Sequence, residues 1–256
     1  MRSYPTDLTD QQWERLSPYL PIQRGRGRRL KWELRVLINA ILYVVYTGCQ
    51  WRMLPHDFPP WQTVYYHFRK WQRDQTWFLV HQAIHQDARR AAGKEPEPTG
   101  VIIDSQSVRT TELAERRGFD GHKHIKGRKR HIVVDTLGFL LCVKVHEANL
   151  SDGSQALALL QSVFFWFITI RKVWADTAYR GDLAHWLWCA YQCELDIAAT
   201  LKAQGFQVVP KRWIVERTFS WFGWYRRLNI DYERYATTAE TMVYIAMIRL
   251  MLKNIT

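Results

Sequence analysis

Apolar residues recur at helical spacing throughout the N-terminal third of the chain, and this pattern predicts amphipathic helices. The segment Thr9 to Gln12 has the form of a capping box that opens the first helix, and Gly48 is a natural stop for the second. The predicted helices cover residues 10–19, 32–46, 61–74 and 76–92. Because the second and third are joined by a turn-rich stretch, they are compatible with a helix-turn-helix-like domain over residues 1–92.

Residues 93–99 are rich in proline, glycine and glutamate, and beyond them the apolar pattern becomes strand-like. We therefore predict a linker over 93–99 and a second domain over 100–256. Its predicted strands cover residues 101–104, two segments within 128–149, 171–176 and 194–199; its predicted helices cover 156–165, 182–191, 211–228 and a last one opened by a capping box of Thr237 and Glu240. Strands followed by alternating helices and strands predict an α/β fold of mixed α+β type, a mixed sheet covered by helices.

Three acids occupy positions that local structure does not fully explain. Asp104 and Asp176 each end an apolar, strand-like run, and Glu216 lies on a polar helical stripe with Arg212 and Arg227. Each acid alone is most simply a turn residue or an ion-pair partner. Together they predict oxygen ligands for Mg²⁺ or Mn²⁺, with two ions able to assist phosphoryl transfer.

Two other aspartates are weaker candidates because each has a sufficient local role. Asp135 precedes a Thr-Leu-Gly turn, and Asp152 has the position of a helix N-cap.

The charge balance indicates a polyanionic partner. Lysine and arginine number 36 against 24 acids, for a net charge of +12, and nucleic acid is the commonest partner of such a chain. The candidate phosphate contacts are Lys123, Lys126, Arg128, Lys129 and Arg130 in a glycine-spaced loop, Arg69 and Lys70 in the third helix, and Arg212 and Arg227. A charged hairpin in solvent, or a solvated linker for the arginines at 24–35, is the alternative.

The cellular compartment is predicted from the absence of signal-peptide and membrane-spanning patterns in the sequence. The N-terminal segment has no apolar signal core, and the longest apolar runs are too short to span a bilayer. The chain is therefore expected to be cytoplasmic and not membrane-bound. The four cysteines lack a paired zinc spacing and are expected to be reduced core thiols.

Several blocks of the sequence resemble DDE transposases of bacterial insertion sequences, in the short group known as insertion sequence family five. The blocks are YPTDLTDQQWERLSPYLP, TGCQWRMLPHDFPPWQTVYYHFRKW, VIIDSQSVRTT, GRKRHIVVDTLGFLL, ANLSDG, WADTAYRG and RWIVERTFSWFGWYRRLNIDYE. The resemblance implies a ribonuclease H-like core with Asp104, Asp176 and Glu216 as its catalytic, metal-binding triad. It also implies action on double-stranded DNA, at terminal inverted repeats and at a target, by a homodimer.

The third motif departs from the wider superfamily. That pattern has Tyr, Arg and Lys around the glutamate, and here those positions hold Val209, Arg212 and Gly223. Arg226 or Arg227 is the candidate replacement for the lysine. The tryptophans at 213, 221 and 224 lie off the Glu216 stripe and are expected in the core.

Three functions are compatible with these observations. The chain is a transposase that cuts and joins DNA, a metal-dependent nuclease that only cuts, or a DNA-binding protein without catalysis.

Overall fold

The computed structural model describes residues 4–21, 31–197 and 211–255. The arginines at positions 24–29, Val209 and the end of the strand predicted over 194–199 lie outside these ranges. Within them, no helix is long and apolar enough to cross a bilayer.

The N-terminal helices form where the apolar periodicity predicts them. They are α1 (Asp10–Leu16), α2 (Leu34–Thr47), α3 (Trp61–Arg73) and α4 (Thr76–Ala91). The capping box of Thr9 and Gln12 is confirmed. Gly48 ends α2 with φ of 73°, in the left-handed region that glycine adopts without strain.

A mixed sheet follows, as predicted, and the described residues contribute six strands to it. Its strands are β1 (Gly100–Arg109), β2 (Gly118–Asp120), β3 (Ile125–Asp135), β4 (Leu140–Glu147), β5 (Lys172–Ala175) and β6 (Glu194–Ile197). β3 pairs antiparallel with β1 on one side and with β2 and β4 on the other. β5 runs parallel to β1, and β6 runs parallel to β5.

The first strand is longer than its apolar run. We expected it to end at Asp104, but β1 continues to Arg109 because residues 104–109 keep pairing with β3. Asp104 therefore lies within a strand, on a frame that is hydrogen-bonded beyond the carboxylate.

Helices cover both faces of the sheet. α5 (Asp152–Trp166) and α6 (Leu183–Tyr191) cover the face that carries Val101, Ile103 and Val133. The opposite face, with Ile102 and Ile132, shares one core with the N-terminal helices and with α9 (Ala236–Asn254). α9 is buried almost all round, so the helical region is packed onto the sheet through it. A domain boundary at 93–99 stays a prediction.

Two details of the C-terminal part differ from the predictions. α9 begins at Ala236 without a side-chain cap, so the capping box of Thr237 and Glu240 is wrong. Glu240 instead accepts a hydrogen bond from the Val145 amide at 2.9 Å, and Tyr244 Oη accepts one from the Val143 amide at 3.3 Å.

The helix predicted over 211–228 is two helices, α7 (Arg212–Phe222) and α8 (Arg226–Asn229). The chain turns at Gly223, which has low helix propensity, and Tyr225 is extended. Glu216 and Arg227 therefore lie on different elements rather than on one stripe.

Candidate active site

Asp104 lies in β1, and Asp176 directly follows β5, the parallel strand beside β1. β1 and β5 pair through Ile102 and Trp174, and each aspartate follows its paired residue by two positions. Side chains two positions apart point to the same face of a sheet. The two carboxylates are therefore placed side by side, on the face that α7 covers.

Each of these carboxylates holds one backbone amide. Asp104 Oδ1 accepts a hydrogen bond from the Ser105 amide at 2.7 Å. Asp176 follows β5 and caps the short helical turn Thr177–Tyr179, where its Oδ1 accepts from the Ala178 amide at 2.8 Å. These bonds fix both side chains and use one oxygen of each.

The negative charge of Asp104 is not fully offset by neighbouring hydrogen-bond donors and positive charges. Burial raises its pKa to about 6, and the charge of Asp176 adds to that rise. The Ser105 amide, Arg212 and Lys123 lower it, but by less. A partly buried carboxyl with a second carboxyl beside it has the surroundings of a functional group rather than of a structural one.

Glu216 is exposed on α7 and forms an ion pair with Arg212, Oε1 to Nε 3.4 Å. The positive charge of Arg212 also lowers the pKa of Asp104, so Arg212 interacts with both the third acid and the first. In the described part of the chain, no three His, Cys, Asp or Glu side chains are close enough to hold one metal ion. The structure thus brings Asp104 and Asp176 together, whereas Glu216 is paired with Arg212 and does not join them.

The donor set fits a hard divalent cation. Carboxylate oxygens are the ligands that Mg²⁺ and Mn²⁺ prefer, and Asp104 and Asp176 each keep one oxygen that no backbone amide holds in these contacts. A cation between them would also offset the unfavourable burial of the Asp104 charge and its repulsion by Asp176, which together raise the pKa of Asp104.

The basic loop before and along β3 divides into an exposed part and a buried part. Lys123 and Lys126 are exposed. Lys123 Nζ lies 3.4 Å from the Ser105 carbonyl oxygen, beside Asp104. Both lysines are thus open to solvent, and Lys123 is next to the acid pair.

Arg128, Lys129 and Arg130 are buried, so the predicted phosphate contacts are not available to them. The Arg128 guanidinium, 1% exposed, pairs with Asp231 at 3.1 Å and donates to three backbone carbonyls. Lys129 pairs with Asp152 at 3.0 Å, and Arg130 donates to the Leu228 carbonyl at 2.6 Å. The reason is topological: β3 is an interior strand whose two faces are both covered.

Arg227 is a further correction. It is buried, pairs with Glu233 at 2.8 Å and donates to the Cys49 carbonyl at 3.1 Å. It therefore cannot replace the lysine that the superfamily pattern places at Gly223. Its neighbour Arg226 is exposed and stays a candidate.

On α3 the two predicted contacts differ in availability. Arg69 is partly buried and donates to Gln72 and to Thr238 of α9. Lys70 is exposed. α3 is thus tied to the C-terminal helix by one of the two basic residues, while the other is free to meet a ligand.

Two of the three tryptophans predicted to be core residues are at the surface. Trp213 is 47% exposed and Trp224 is 67% exposed. Trp221 is partly buried against the core. Arg217 stacks on Trp213 and on Trp221 at 4.7 Å from each ring centroid, so this helix presents a basic-aromatic surface beside Glu216.

Asp135 has a local structural role, as expected. It accepts hydrogen bonds from the Leu137 and Phe139 amides in the turn. It also contacts His85 at 3.2 Å and Arg89 at 2.6 Å. Burial alone would raise the pKa of Asp135, but His85 and Arg89 together hold it below the ordinary value.

The expected N-cap role of Asp152 is wrong. Ser151 caps α5 by accepting from the Ser154 amide, and Asp152 lies in the first turn, where it pairs with Lys129. The expectation for the thiols holds in part: all four cysteines are free, but Cys189 is exposed rather than in the core.

One contact near the acids was missed from the sequence. Tyr179 Oη lies 2.8 Å from His131 Nε2, and both side chains are fully buried. The available signal was the position of Tyr179 in the block WADTAYRG, three residues after Asp176.

Comparison with known proteins agrees with this geometry. Residues 8–81 match a family model described as a putative transposase of the IS4/5 family, and residues 95–251 match the transposase DDE domain. The second match covers the sheet, both aspartates and Glu216, and with it the ribonuclease H-like fold is confirmed.

Curated relatives match part of the chain. A putative transposase for insertion sequence element IS402 of Burkholderia cepacia is 32% identical over 117 residues, which cover 43% of this chain and 56% of that protein. The chain thus spans little more than half the length of this relative. An IS402 uncharacterized 16.2 kDa protein of the same organism is 26% identical over 43% of this chain and 78% of its own length.

A third relative, the uncharacterized protein y4sN of Sinorhizobium fredii, is 23% identical over 48% of this chain and 83% of its own length. No solved structure shows significant similarity. Since the DDE domain model alone matches more than half of the chain, this protein belongs to the DDE transposases, with an N-terminal region of the IS4/5 family type.

Proposed function

We propose that this chain catalyses DNA transposition: it binds the terminal inverted repeats of an insertion sequence, cuts at their ends and transfers the 3′-hydroxyl ends to target DNA. The observation that carries the proposal is the proximity of Asp104, in β1, and Asp176, directly after the adjacent parallel strand β5, with the pKa of Asp104 raised by burial and by the charge of Asp176. This is how a rigid frame holds two oxygen ligands for phosphoryl transfer.

In this proposal Asp104 and Asp176 hold one or two divalent ions, Mg²⁺ or Mn²⁺. When bound, the ions would activate the attacking oxygen and stabilise the leaving one in an in-line displacement. The Ser105 and Ala178 amides keep the two carboxylates oriented. Arg212, beside Asp104, is placed to neutralise phosphate charge at the same site.

Glu216 is the proposed third member of the triad. Its ion pair with Arg212 at 3.4 Å is exposed, and an exposed ion pair is worth only about 0–1 kcal/mol. Breaking the Arg212–Glu216 ion pair therefore costs little free energy. When DNA binds, Arg212 can turn to a phosphate and release the Glu216 carboxylate toward the metal-binding pair.

In this proposal, the exposed lysine and arginine side chains contact the DNA. Lys123 and Arg212 lie near Asp104, and Lys126 is exposed at the start of β3. Lys70 and Arg226 are exposed on α3 and α8. Such contacts neutralise phosphates without regard to sequence. We further propose that double-stranded DNA is bound by a homodimer in the cytoplasm, since joining requires two ends to be held together.

An end-joining assay separates this function from the alternatives. The protein is incubated with duplexes that carry the element's ends, a target plasmid and Mg²⁺. We expect ends joined to the target; cut ends without joining would support a nuclease, and bound but intact DNA would support a DNA-binding protein.

Asp104→Asn is the decisive variant in that assay. It preserves side-chain shape and removes the charge, so we expect cutting and joining to fall by about 10³-fold or more, with DNA binding retained in a gel-shift measurement. Cutting at the wild-type rate by this variant would remove Asp104 from the proposed site.

A further inference from the structure

Tyr179 and His131 connect the turn that follows β5 to β3, the strand paired with β1 on the side away from β5. Tyr179 lies three residues after Asp176 and is 1% exposed, and His131 is a fully buried residue of β3. Their side chains meet with Oη to Nε2 at 2.8 Å. A buried hydrogen bond of this length orders both side chains.

The turn that follows β5 makes Asp176 and Tyr179 one structural unit. Asp176 Oδ1 accepts from the Ala178 amide, and the Asp176 carbonyl accepts from the Tyr179 amide at 3.3 Å. With side chain and main chain both tied into a three-residue helical turn, a displacement of the Tyr179 backbone is carried to the Asp176 carboxylate.

At its other end the contact reaches Asp104. His131 is paired with Ser105 across the β1–β3 ladder, and Ser105 both follows Asp104 and donates its amide to that carboxylate. The chain of contacts from Asp176 thus runs through Tyr179 and His131 to the amide that orients Asp104.

The direct pairing of β1 and β5 stops short of the acids, so it does not itself fix their separation. β1 and β5 are paired from Gly100 and Lys172 to Ile102 and Trp174, two residues before the carboxylates. Beyond Trp174, the hydrogen bond between Tyr179 and His131 holds the turn Thr177–Tyr179 against β3.

The pair lies on the opposite face of the sheet from the acids. Tyr179 belongs to the core that α5 covers, whereas Asp104 is opposite Ile132, which belongs to the core on the other face. Neither Tyr179 nor His131 is thus placed to be a ligand. Burial lowers the pKa of His131, and a neutral imidazole complements a hydroxyl in either tautomer.

We propose that Tyr179 and His131 are a positioning pair that sets the separation of the Asp104 and Asp176 carboxylates and so the affinity of the site for a divalent cation. This inference rests on the proposed function, because it takes the two aspartates as the cation site. Groups that orient metal ligands in this way typically contribute about 10–100-fold to metal affinity.

The test is a calorimetric titration of the full chain with Mn²⁺, without DNA. Tyr179→Phe removes only the hydroxyl, and we expect Mn²⁺ binding about 10-fold weaker or more. The matched control is Tyr244→Phe, which also removes a buried hydroxyl, one that accepts a hydrogen bond from the Val143 amide. Val143 lies in β4, which β3 separates from the Asp104 strand. We expect the control to shift the urea midpoint to a similar extent and to leave Mn²⁺ affinity within about twofold.

Two substitutions of His131 distinguish a positioning role of the hydrogen bond from a role in core packing. His131→Gln retains a polar group that can meet the Tyr179 hydroxyl, and His131→Leu does not. We expect Gln to retain most of the Mn²⁺ affinity and Leu to lose as much as Tyr179→Phe. If Tyr179→Phe does not fold, this pair of variants decides the question.

Two results would overturn the proposal: Mn²⁺ affinity of Tyr179→Phe equal to wild type, or an equal loss in Tyr244→Phe. Asp104→Asn, measured in the same titration, distinguishes the failures. If it binds Mn²⁺ as tightly as wild type, the cation site itself is wrong and the positioning pair falls with it. If it loses binding while Tyr179→Phe does not, only the positioning pair is wrong.

Discussion

Two aspartates on neighbouring strands, Asp104 in β1 and Asp135 at the end of β3, have opposite surroundings. Asp135 contacts His85 and Arg89 and accepts two amides of its turn, and its pKa lies below the ordinary value. Asp104 accepts one amide, has Asp176 as a neighbour and has its pKa raised to about 6.

The difference teaches how to distinguish a structural acid from a functional one. Asp135 is fully compensated by protein groups, so nothing further is required there. Asp104 is left with a deficit of positive charge that a ligand can fill, which is the usual condition of a binding or catalytic carboxyl. The three predictions that follow each test this contrast, from the largest expected effect to the smallest.

The largest effect is expected at the compensated acid. Asp135→Asn leaves the Arg89 guanidinium buried without its counter-charge, which should lower the free energy of unfolding by about 3–5 kcal/mol. Urea unfolding at neutral pH without metal measures this, and Asp104→Asn is the matched control. If Asp135→Asn loses less stability than Asp104→Asn, the contrast between the two acids is wrong.

An intermediate effect is expected from pH at the uncompensated acid. Its pKa of about 6 in the folded state exceeds the ordinary 3.8, so between about pH 4 and pH 6 the folded chain keeps a proton that the unfolded chain has lost. Stability therefore falls as pH rises through this window, by up to about 3 kcal/mol for this group.

The measurement is urea unfolding of wild type and Asp104→Asn in a chelating buffer from about pH 4 to pH 7, which spans the titration of this group. Taking the difference between the two proteins removes the contribution of other titrating groups. We expect Asp104→Asn to become the more stable protein as pH rises. A difference that does not change with pH would contradict the raised pKa.

The smallest effect is expected for the basic residues, which also divide into buried, paired side chains and exposed ones. Arg128 is compensated by Asp231 and carbonyls, while Lys123 and Lys126 are exposed. Replacing both lysines by Gln should weaken binding to all DNA sequences and reduce the slope of log affinity against log salt by roughly 0.9 for each phosphate that is no longer neutralised.

Fluorescence anisotropy at several salt concentrations measures that slope. The control replaces Lys94 and Lys144, two exposed lysines outside the loop, and should change the slope less. A loss of affinity confined to one sequence would make the loop a specificity element instead of a phosphate-binding one.

The sequence predicted the elements better than it predicted which charges are free. Apolar periodicity located the helices and strands, and apolar runs ending in acids identified Asp104 and Asp176. The same periodicity could not show that Arg128 and Arg130 are buried, because a run of consecutive basic residues is typical of a solvated segment until the pairing of β3 on both sides is known. The exposure of Trp224 depends on the chain turn at Gly223, which the continuous helical pattern concealed.

The hydrogen bonds from β4 to α9 limit how the sheet can grow. The Val143 and Val145 amides point away from β3, toward the side where a strand from another molecule would add, and Tyr244 and Glu240 already accept from them. An edge that is occupied in this way resists strand addition and aggregation. A second copy of the chain that approached this edge would have to associate through side chains rather than by extending the sheet.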